Sequence, residues 1–228
     1  WRKIVDLWSA RTAELAKMPG VRHIMAFENT GVAIGVTMPH PHGQIYAFPF
    51  IPPLVQTELT AAREYYQRNH RCLYCDLLAR EREDRARIVA DSEHFVAFVP
   101  FAARFPSEVQ IYPKRHILGM AGLSDAEKDD LASTISTVRR KYDNLYDLSE
   151  LDPADNVLPL MMIVRLPPAS GDHAYHHFHI EFLPLQRSQK KLKYLASVET
   201  GGGSYLADTK PEERAEALRN AEPRTVVS

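Results

Sequence analysis

Two histidine-x-histidine segments, at residues 40–42 and 177–179, divide this chain of 228 residues into two similar parts. Each segment lies next to apolar runs that predict β-strands, and helical patterns flank both of them. We therefore predict an internal duplication of one α+β unit, with an antiparallel sheet and flanking helices. Residues 1–70 would be the C-terminal part of the first unit, and residues 71–228 would be the second unit.

The spacing of apolar residues predicts the elements of both units. For the first unit we expect helices over residues 4–15 and 54–69, and strands over 22–27, 32–37 and 44–50. For the second unit we expect helices over 72–82, 124–148 and 211–220, and strands over 87–90, 95–100, 108–112, 157–165 and 174–184. Strands of both units would form one continuous sheet.

The segment Pro39-His40-Pro41-His42-Gly43-Gln44 contains the candidate catalytic residues of the first unit. In an extended chain His40, His42 and Gln44 share one face of the sheet. A neutral imidazole can attack phosphorus without first losing a strongly held proton, so His42 is a candidate nucleophile for a phosphohistidine-type intermediate. The alternative is that these histidines are surface residues or structural metal ligands. The flanking glycine, glutamine and prolines favour the catalytic interpretation.

This region resembles the active-site strand pair of the galactose-1-phosphate uridylyltransferase family, a branch of the histidine-triad superfamily. The resemblance rests on Phe27-Glu28-Asn29-Thr30-Gly31, on residues 35–38 and on the Pro-His-Pro-His-Gly-Gln segment. It implies that His42 takes UMP from UDP-glucose and that Gln44 donates a hydrogen bond to the phosphoryl group. Histidine-triad hydrolases have a third histidine where Gln44 stands. Because an amide cannot shuttle a proton, a sugar-phosphate acceptor fits this site better than water.

The same resemblance implies a set of substrate-binding residues, which are Asn29, Gly35, Thr37, Lys193 and Glu199. Asn29 and Thr37 would form hydrogen bonds near the nucleotide and phosphate, and Gly35 would let the substrate approach the backbone. Lys193 would reach a phosphate, and Glu199 would accept hydrogen bonds from sugar hydroxyls. The residue before Glu199 is a valine where the family commonly has tyrosine, which leaves the hexose preference open.

A metal site is predicted in the second unit. Cys72, Cys75, His116 and His177 supply two thiolates and two imidazoles, the donor set of a closed tetrahedral zinc site. Two cysteines are too few for a disulfide framework, and two ordinary semi-buried thiols are the alternative. The resemblance favours zinc, because the family's first half has its cysteine pair and histidines in this order. By the same order His40 would bind zinc in the first unit, with partners that this sequence lacks.

Iron is the less favoured metal. Some members of the family bind iron through a glutamate and three histidines, and Glu58, His177 and His179 stand at three of these positions. Arg165 stands at the fourth position. We therefore expect zinc in a structural role.

The composition excludes some classes of protein. The formal net charge of −1 gives no basic field for nucleic acid. No apolar run approaches the roughly 20 residues of a membrane span, and the charged, amphipathic N-terminal segment does not read as a signal peptide. We therefore expect a cytoplasmic enzyme that binds neither nucleic acid nor membranes. The chain opens on Trp1 inside a predicted helix, and the family pattern implies a preceding segment of about 100 residues, a small domain's worth, with most of the uridine pocket.

The resemblance also implies the partners. The small-molecule substrates would be UDP-hexose and hexose 1-phosphate, and a homodimer would form because the family's active site lies between subunits. Two other functions stay open, namely adenylyl or other nucleotidyl transfer by the same fold, and a non-catalytic, zinc-stabilised remnant.

Overall fold

A computed structural model describes residues 1–36, 42–147 and 157–222. The helices are α1 (Arg2–Leu15), α2 (Pro53–Asn69), α3 (Leu73–Asp84), α4 (Asp125–Leu145), α5 (Ser197–Gly202) and α6 (Pro211–Arg219). The strands are β1 (His23–Thr30), β2 (Gly43–Phe48), β3 (Ile88–Asp91), β4 (Phe95–Phe98), β5 (Val109–Pro113), β6 (Leu160–Arg165), β7 (His179–Pro184), β8 (Gln186–Ser188) and β9 (Lys191–Leu192). Within these ranges no helix is both long enough and apolar enough to cross a membrane.

Seven strands form one sheet in the order β2-β1-β6-β7-β5-β4-β3, and every pair in it is antiparallel. Strands β1 and β2 come from residues 1–70 and the other five from residues 71–228. The predicted α+β class and the continuous sheet are therefore confirmed. Strands β8 and β9 form a separate two-stranded ribbon. The boundary between two duplicated units stays a prediction.

One face of the sheet packs against α1 and α4. Val5 and Trp8 of α1 and Leu131 of α4 join Ile111 and Phe182 of the sheet in one apolar cluster. Each such side chain stabilises the fold by about 1.5–3 kcal/mol when it is fully buried. A capping box starts α4, since the side chain of its N-cap serine accepts a hydrogen bond from the backbone amide of the third helical residue.

The opposite face is covered by α2 and α3 over part of its width. Leu78 of α3 packs on Phe98 and Tyr112, and Leu59 of α2 packs on Tyr175. At the β1–β2 end this face is open to solvent, and Tyr46 is 49% exposed there. The residues predicted to be catalytic lie at this open end.

The strand predicted over residues 32–37 is wrong for residues 32–36, which are the part of it that the structure describes. Val32–Ile34 is a turn of 3₁₀-helix between Gly31 and Gly35, whose φ angles are 89° and 85°. Positive φ values suit glycine and break a strand. A Cβ atom on Gly31 would also lie 2.7 Å from the Cα of Pro159, so only glycine fits there. Strand β1 pairs with β2 on one side and with β6 on the other, and it extends to Thr30, beyond its predicted end at residue 27.

Candidate active site and metal centre

Strands β1 and β2 hold the predicted catalytic residues. In their register Phe27 faces Gln44 and Glu28 faces Gly43. Extending this ladder by one residue would set Asn29 opposite His42, which lies directly before β2. Residues paired across an antiparallel ladder share a face of the sheet. Asn29, His42 and Gln44 therefore lie on the open face, where Gln44 is exposed and the other two are half-buried. The structure brings these three predicted residues together.

Two other predicted residues of the first unit, Thr37 and His40, lie outside the residues that the structure describes. Gly35 ends the 3₁₀ turn with φ 85°, and a Cβ atom there would have nothing within 4 Å. The backbone at Gly35 is thus uncovered by side chains, and its role in substrate binding stays a prediction.

The sequence analysis missed a buried ion pair behind His42. Glu28 lies on the closed face of β1, and the Nη1 of Arg139 donates a hydrogen bond to its carboxylate at 3.2 Å. Burial raises the pKa of Glu28, while the charges of Arg139 and His42 lower it. The net result is a raised pKa for Glu28. The signal in the sequence was a glutamate directly after the apolar run at residues 24–27.

The four predicted metal ligands come together. One donor atom from each of Cys72, Cys75, His116 and His177 lies within 4.8 Å of all the others. The Cys75 Sγ is 3.2 Å from the Nδ1 of His116 and 3.4 Å from the Nδ1 of His177. In tetrahedral zinc sites neighbouring donor atoms are about 3.3–3.8 Å apart, given the usual bond lengths. The donor set and its spacing therefore fit a zinc ion.

Local structure positions these ligands. Cys72 is the N-cap of α3 and Cys75 lies in its first turn, so both sulfurs lie near the positive end of a helix. His116 follows β5. His177 precedes β7, whereas the sequence analysis predicted it to lie inside a strand. The amide of Phe178 donates to the carbonyl oxygen of Ile117 at 2.8 Å, which keeps the two histidine segments side by side.

The ring of His177 is oriented for binding through Nδ1. Its Nε2 is 3.1 Å from the carbonyl oxygen of Pro113, and a carbonyl can only accept a hydrogen bond. The ring proton therefore resides on Nε2, and the lone pair of Nδ1 points toward the sulfur of Cys75. This arrangement of a ligand histidine that donates to a carbonyl is typical of metal sites.

The two thiols share a hydrogen bond. It lowers the pKa of Cys72 to about 4 and raises the pKa of Cys75. The protonation of one sulfur is thus linked to the protonation of the other. A dication at this position would also remove the proton of the second sulfur.

The residues at the family's iron-binding positions do not form a metal site. The Nη2 of Arg165 is 3.4 Å from the Oε1 of Glu58 and 2.8 Å from the Oε2 of Glu181. A buried guanidinium thus stands among the groups that would bind a cation. Burial alone would raise the pKa of Glu181, but Arg165 and Arg104 lower it to about 2. In the part of the chain that the structure describes, the cysteine-histidine set is the group suited to a metal.

Lys193 and Glu199 also come together. The Nζ of Lys193 is 3.3 Å from the Oε1 of Glu199 and donates to the carbonyl oxygen of Leu206 at 2.6 Å. Both side chains line a cavity of about 580 Å³, which we name the tail pocket, beside the β8–β9 ribbon and α5. Pockets of roughly 300–1,000 Å³ commonly accept small molecules. The sequence analysis did not predict β8, β9 or α5.

Comparisons with known proteins agree with this geometry. The model of the galactose-1-phosphate uridyl transferase C-terminal domain matches residues 58–224, and that of the N-terminal domain matches residues 1–52. A galactose-1-phosphate uridylyltransferase from Thermotoga maritima is 42% identical over 222 residues, which are 96% of this chain and 67% of that protein. One from Haemophilus influenzae is 33% identical over 219 residues, 95% of this chain and 60% of that protein.

A solved uridylyltransferase structure is also similar, with a TM-score of 0.87 and 33% identity over 96% of this chain and 67% of that one. The chain thus spans about two thirds or less of the length of these relatives. The two matched domain models cover most of its residues in the expected order. By these matches, the chain belongs to the galactose-1-phosphate uridyl transferase family.

Proposed function

We propose that this chain transfers UMP between UDP-glucose and galactose 1-phosphate through a covalent uridylyl-histidine intermediate on His42. The observation that carries the proposal is the β1–β2 register, which aligns Asn29, His42 and Gln44 on one open face of the sheet. Family membership provides the reaction class.

The proposed reaction has two steps that mirror each other. A ring nitrogen of His42 attacks the α-phosphorus of UDP-glucose, the bond from that phosphorus to the bridging oxygen breaks, and glucose 1-phosphate leaves. A phosphate oxygen of galactose 1-phosphate then attacks the same phosphorus, the phosphorus–nitrogen bond breaks, and UDP-galactose leaves. Because the acceptor is already an anion, no group needs to take a proton from it.

Gln44 and Asn29 have the donor chemistry that the first step needs. Charge builds on the non-bridging phosphoryl oxygens during attack, and a fixed amide N–H stabilises such charge. Gln44 is exposed on the same face as His42, so its amide is available to a bound phosphate. We assign Gln44 to the phosphoryl group and Asn29, with Gly35 and Thr37, to the nucleotide and its phosphates.

The tail pocket supports a role in hexose recognition. Glu199 is an acceptor-only carboxylate that suits paired sugar hydroxyls, and Lys193 beside it suits a phosphate. Their separation of 3.3 Å places both groups within reach of one hexose 1-phosphate. We propose that this pocket completes the His42 site of a neighbouring subunit in a homodimer.

We propose a structural zinc ion at Cys72, Cys75, His116 and His177. The ion would connect α3, the turn after β5 and the segment before β7, and it takes no part in the reaction because four protein donors fill its coordination sphere. His40 would belong to a second zinc site with ligands from outside this sequence. Both cysteines are free thiols in the structure, which suits the reducing cytoplasm that we propose as the location.

Adenylyl transfer is the second candidate function. An ADP-glucose phosphorylase from Arabidopsis thaliana is 26% identical over 216 residues, which are 95% of this chain. Thermal-shift titration separates the two candidates, because a ligand that binds only the folded state raises Tm. We expect UDP-glucose to raise Tm at lower concentration than ADP-glucose. The reverse order would favour adenylyl transfer.

The exchange reaction tests the proposal itself. We expect the protein to convert UDP-glucose and galactose 1-phosphate to UDP-galactose and glucose 1-phosphate, and His42→Ala to abolish the conversion. His94→Ala serves as the matched control, because His94 lies on the far edge of the sheet before β4. Full activity of His42→Ala would refute the nucleophile. No activity in the unaltered protein would favour the non-catalytic remnant.

A further inference from the structure

The tail pocket contains a second ion pair beside Lys193 and Glu199. The Nε of Arg187, on β8, donates a hydrogen bond to the Oδ2 of Asp208, and both side chains line the pocket. The side chains of Arg187 and Asp208 are 49% and 34% exposed. This pair is therefore accessible to a molecule that enters the pocket.

Asp208 orients the guanidinium of Arg187 but engages only its Nε. The Nη2 of Arg214 donates to the backbone carbonyl oxygen of Arg187 at 3.3 Å, which ties this strand to α6. Within the described ranges its two Nη groups have no hydrogen-bond or ion-pair partner. Arginine thus offers the pocket the planar pair of donors that matches two oxygens of a phosphate.

Lys193 alone is poorly matched to a phosphate monoester. Its ammonium already contacts the carboxylate of Glu199 and the carbonyl oxygen of Leu206. A phosphate monoester carries about 1.5 to 2 negative charges at pH 7 and three strong acceptor oxygens. One lysine that is shared with a carboxylate leaves much of that charge uncompensated. Arg187 is itself paired with Asp208 through Nε, but its two Nη groups bring further N–H donors to the same cavity.

We propose that Arg187 is a second phosphate-binding residue of the tail pocket, and that Asp208 is a positioning residue that aligns its guanidinium. The ligand is a hexose 1-phosphate, with its phosphate between Arg187 and Lys193 and its hydroxyls on Glu199. This inference rests on the proposed function, since it names a further residue for the same substrate.

Direct binding tests the inference without depending on turnover. Isothermal titration of the protein with glucose 1-phosphate would compare the unaltered chain with Arg187→Ala, Arg187→Lys and Asp208→Asn. Losing a charge-assisted hydrogen-bond donor to a charged group typically weakens binding by about 10- to 100-fold, which is our expectation for Arg187→Ala. We expect a smaller loss of affinity for Arg187→Lys, because lysine keeps the positive charge but lacks the planar pair of N–H donors. Lys191→Ala is the matched control, because Lys191 is an exposed cation on β9 outside the pocket lining.

A double-mutant cycle tests the positioning role of Asp208. If Asp208 acts only through Arg187, then Asp208→Asn weakens binding in the unaltered chain and has no further effect in Arg187→Ala. Equal losses in both backgrounds would overturn this role. Because both residues are exposed, we expect each variant to stay folded, and its Tm would check this.

The outcomes separate the inference from the proposed function. If the unaltered chain binds glucose 1-phosphate and Arg187→Ala binds it equally well, the inference is wrong and the proposed function stands. If the unaltered chain binds no glucose 1-phosphate at millimolar concentration, both are wrong. If Lys191→Ala loses as much affinity for glucose 1-phosphate as Arg187→Ala does, the effect is one of general charge, and this result would also overturn the inference.

Discussion

The indole of Trp8 presses against Gly43, the residue that follows His42. A Cβ atom on Gly43 would lie 2.9 Å from the Cζ2 of Trp8, which is closer than real Cβ contacts. This contact with α1 thus sets the distance between β2 and the core. Because His42 directly precedes β2, the same contact determines where His42 lies. Glycine at this position is a packing requirement as well as part of the motif.

Replacing Gly43 by alanine should move β2 away from α1. We expect Gly43→Ala to destabilise the fold by about 1–3 kcal/mol, the usual cost of overpacking, and to lower the exchange rate because His42 shifts. Chemical denaturation and the exchange assay would measure both effects. Trp8→Leu in the same chain should restore part of the activity. Gly201→Ala, where the new Cβ has open space, should change neither quantity.

Metal analysis should find about one zinc ion per chain, as expected for a four-ligand structural site. Cys75→Ser should abolish that zinc and lower Tm, because the ion connects elements that are distant in sequence. His94→Gln, outside the site, should retain the metal. Less than about half an equivalent of zinc in protein purified without chelators would contradict a closed four-ligand site.

Stability should fall as the pH drops below neutrality. His23 is 2% exposed, and burial, with the charge of Arg165 nearby, lowers its pKa from 6.5 to about 4. Between pH 6.5 and pH 4, His23 is therefore protonated in the unfolded chain but not in the folded chain. The free energy of unfolding consequently decreases as the pH falls through this range. His23 alone should account for on the order of 1–3 kcal/mol of this loss.

The variant His23→Leu should flatten this pH dependence, as measured by denaturation at pH 7 and pH 5. His94→Leu is the control for the loss of an imidazole near the surface. An unchanged slope in His23→Leu would show that other groups carry the effect.

Breaking the buried ion cluster should be costly. Arg165→Met would remove the cation that contacts both Glu58 and Glu181, while the Nη2 of Arg104 would still lie 2.8 Å from the Oε2 of Glu181. Removing one partner of a buried pair typically costs about 3–5 kcal/mol. The exposed pair of Arg11 and Glu14 gives the control, because Arg11→Ala should cost less than about 1 kcal/mol. If Arg165→Met and Arg11→Ala both lower the free energy of unfolding by a similar small amount, the cluster around Arg165 is solvated.

Helices α1 to α4 and α6 and the cysteine pair were predictable because their signals are local. The serine N-cap of α4 and the proline at the start of α6 mark helix starts by their own chemistry. The spacing of Cys72 and Cys75 already places two sulfurs on one helix turn. The predicted set with His116 and His177 is assembled within 4.8 Å.

The features that were missed depend on distant contacts. Residues 32–36 have an apolar composition that favours a strand, but Pro159 leaves no room for a side chain at Gly31 and the chain turns there. Arg165 pairs with Glu58 and Glu181, which come from α2 and β7, so no local pattern could predict the cluster. Arg187 and Asp208 are likewise 21 residues apart in sequence.

The covalent intermediate on His42 can be detected directly by mass spectrometry. The protein would be incubated with UDP-glucose without an acceptor, digested at neutral pH and mapped. We predict one added uridylyl group on the peptide that contains His42, and its loss when galactose 1-phosphate is added. An adduct on another residue, or exchange activity with no adduct at all, would contradict nucleophilic catalysis by His42.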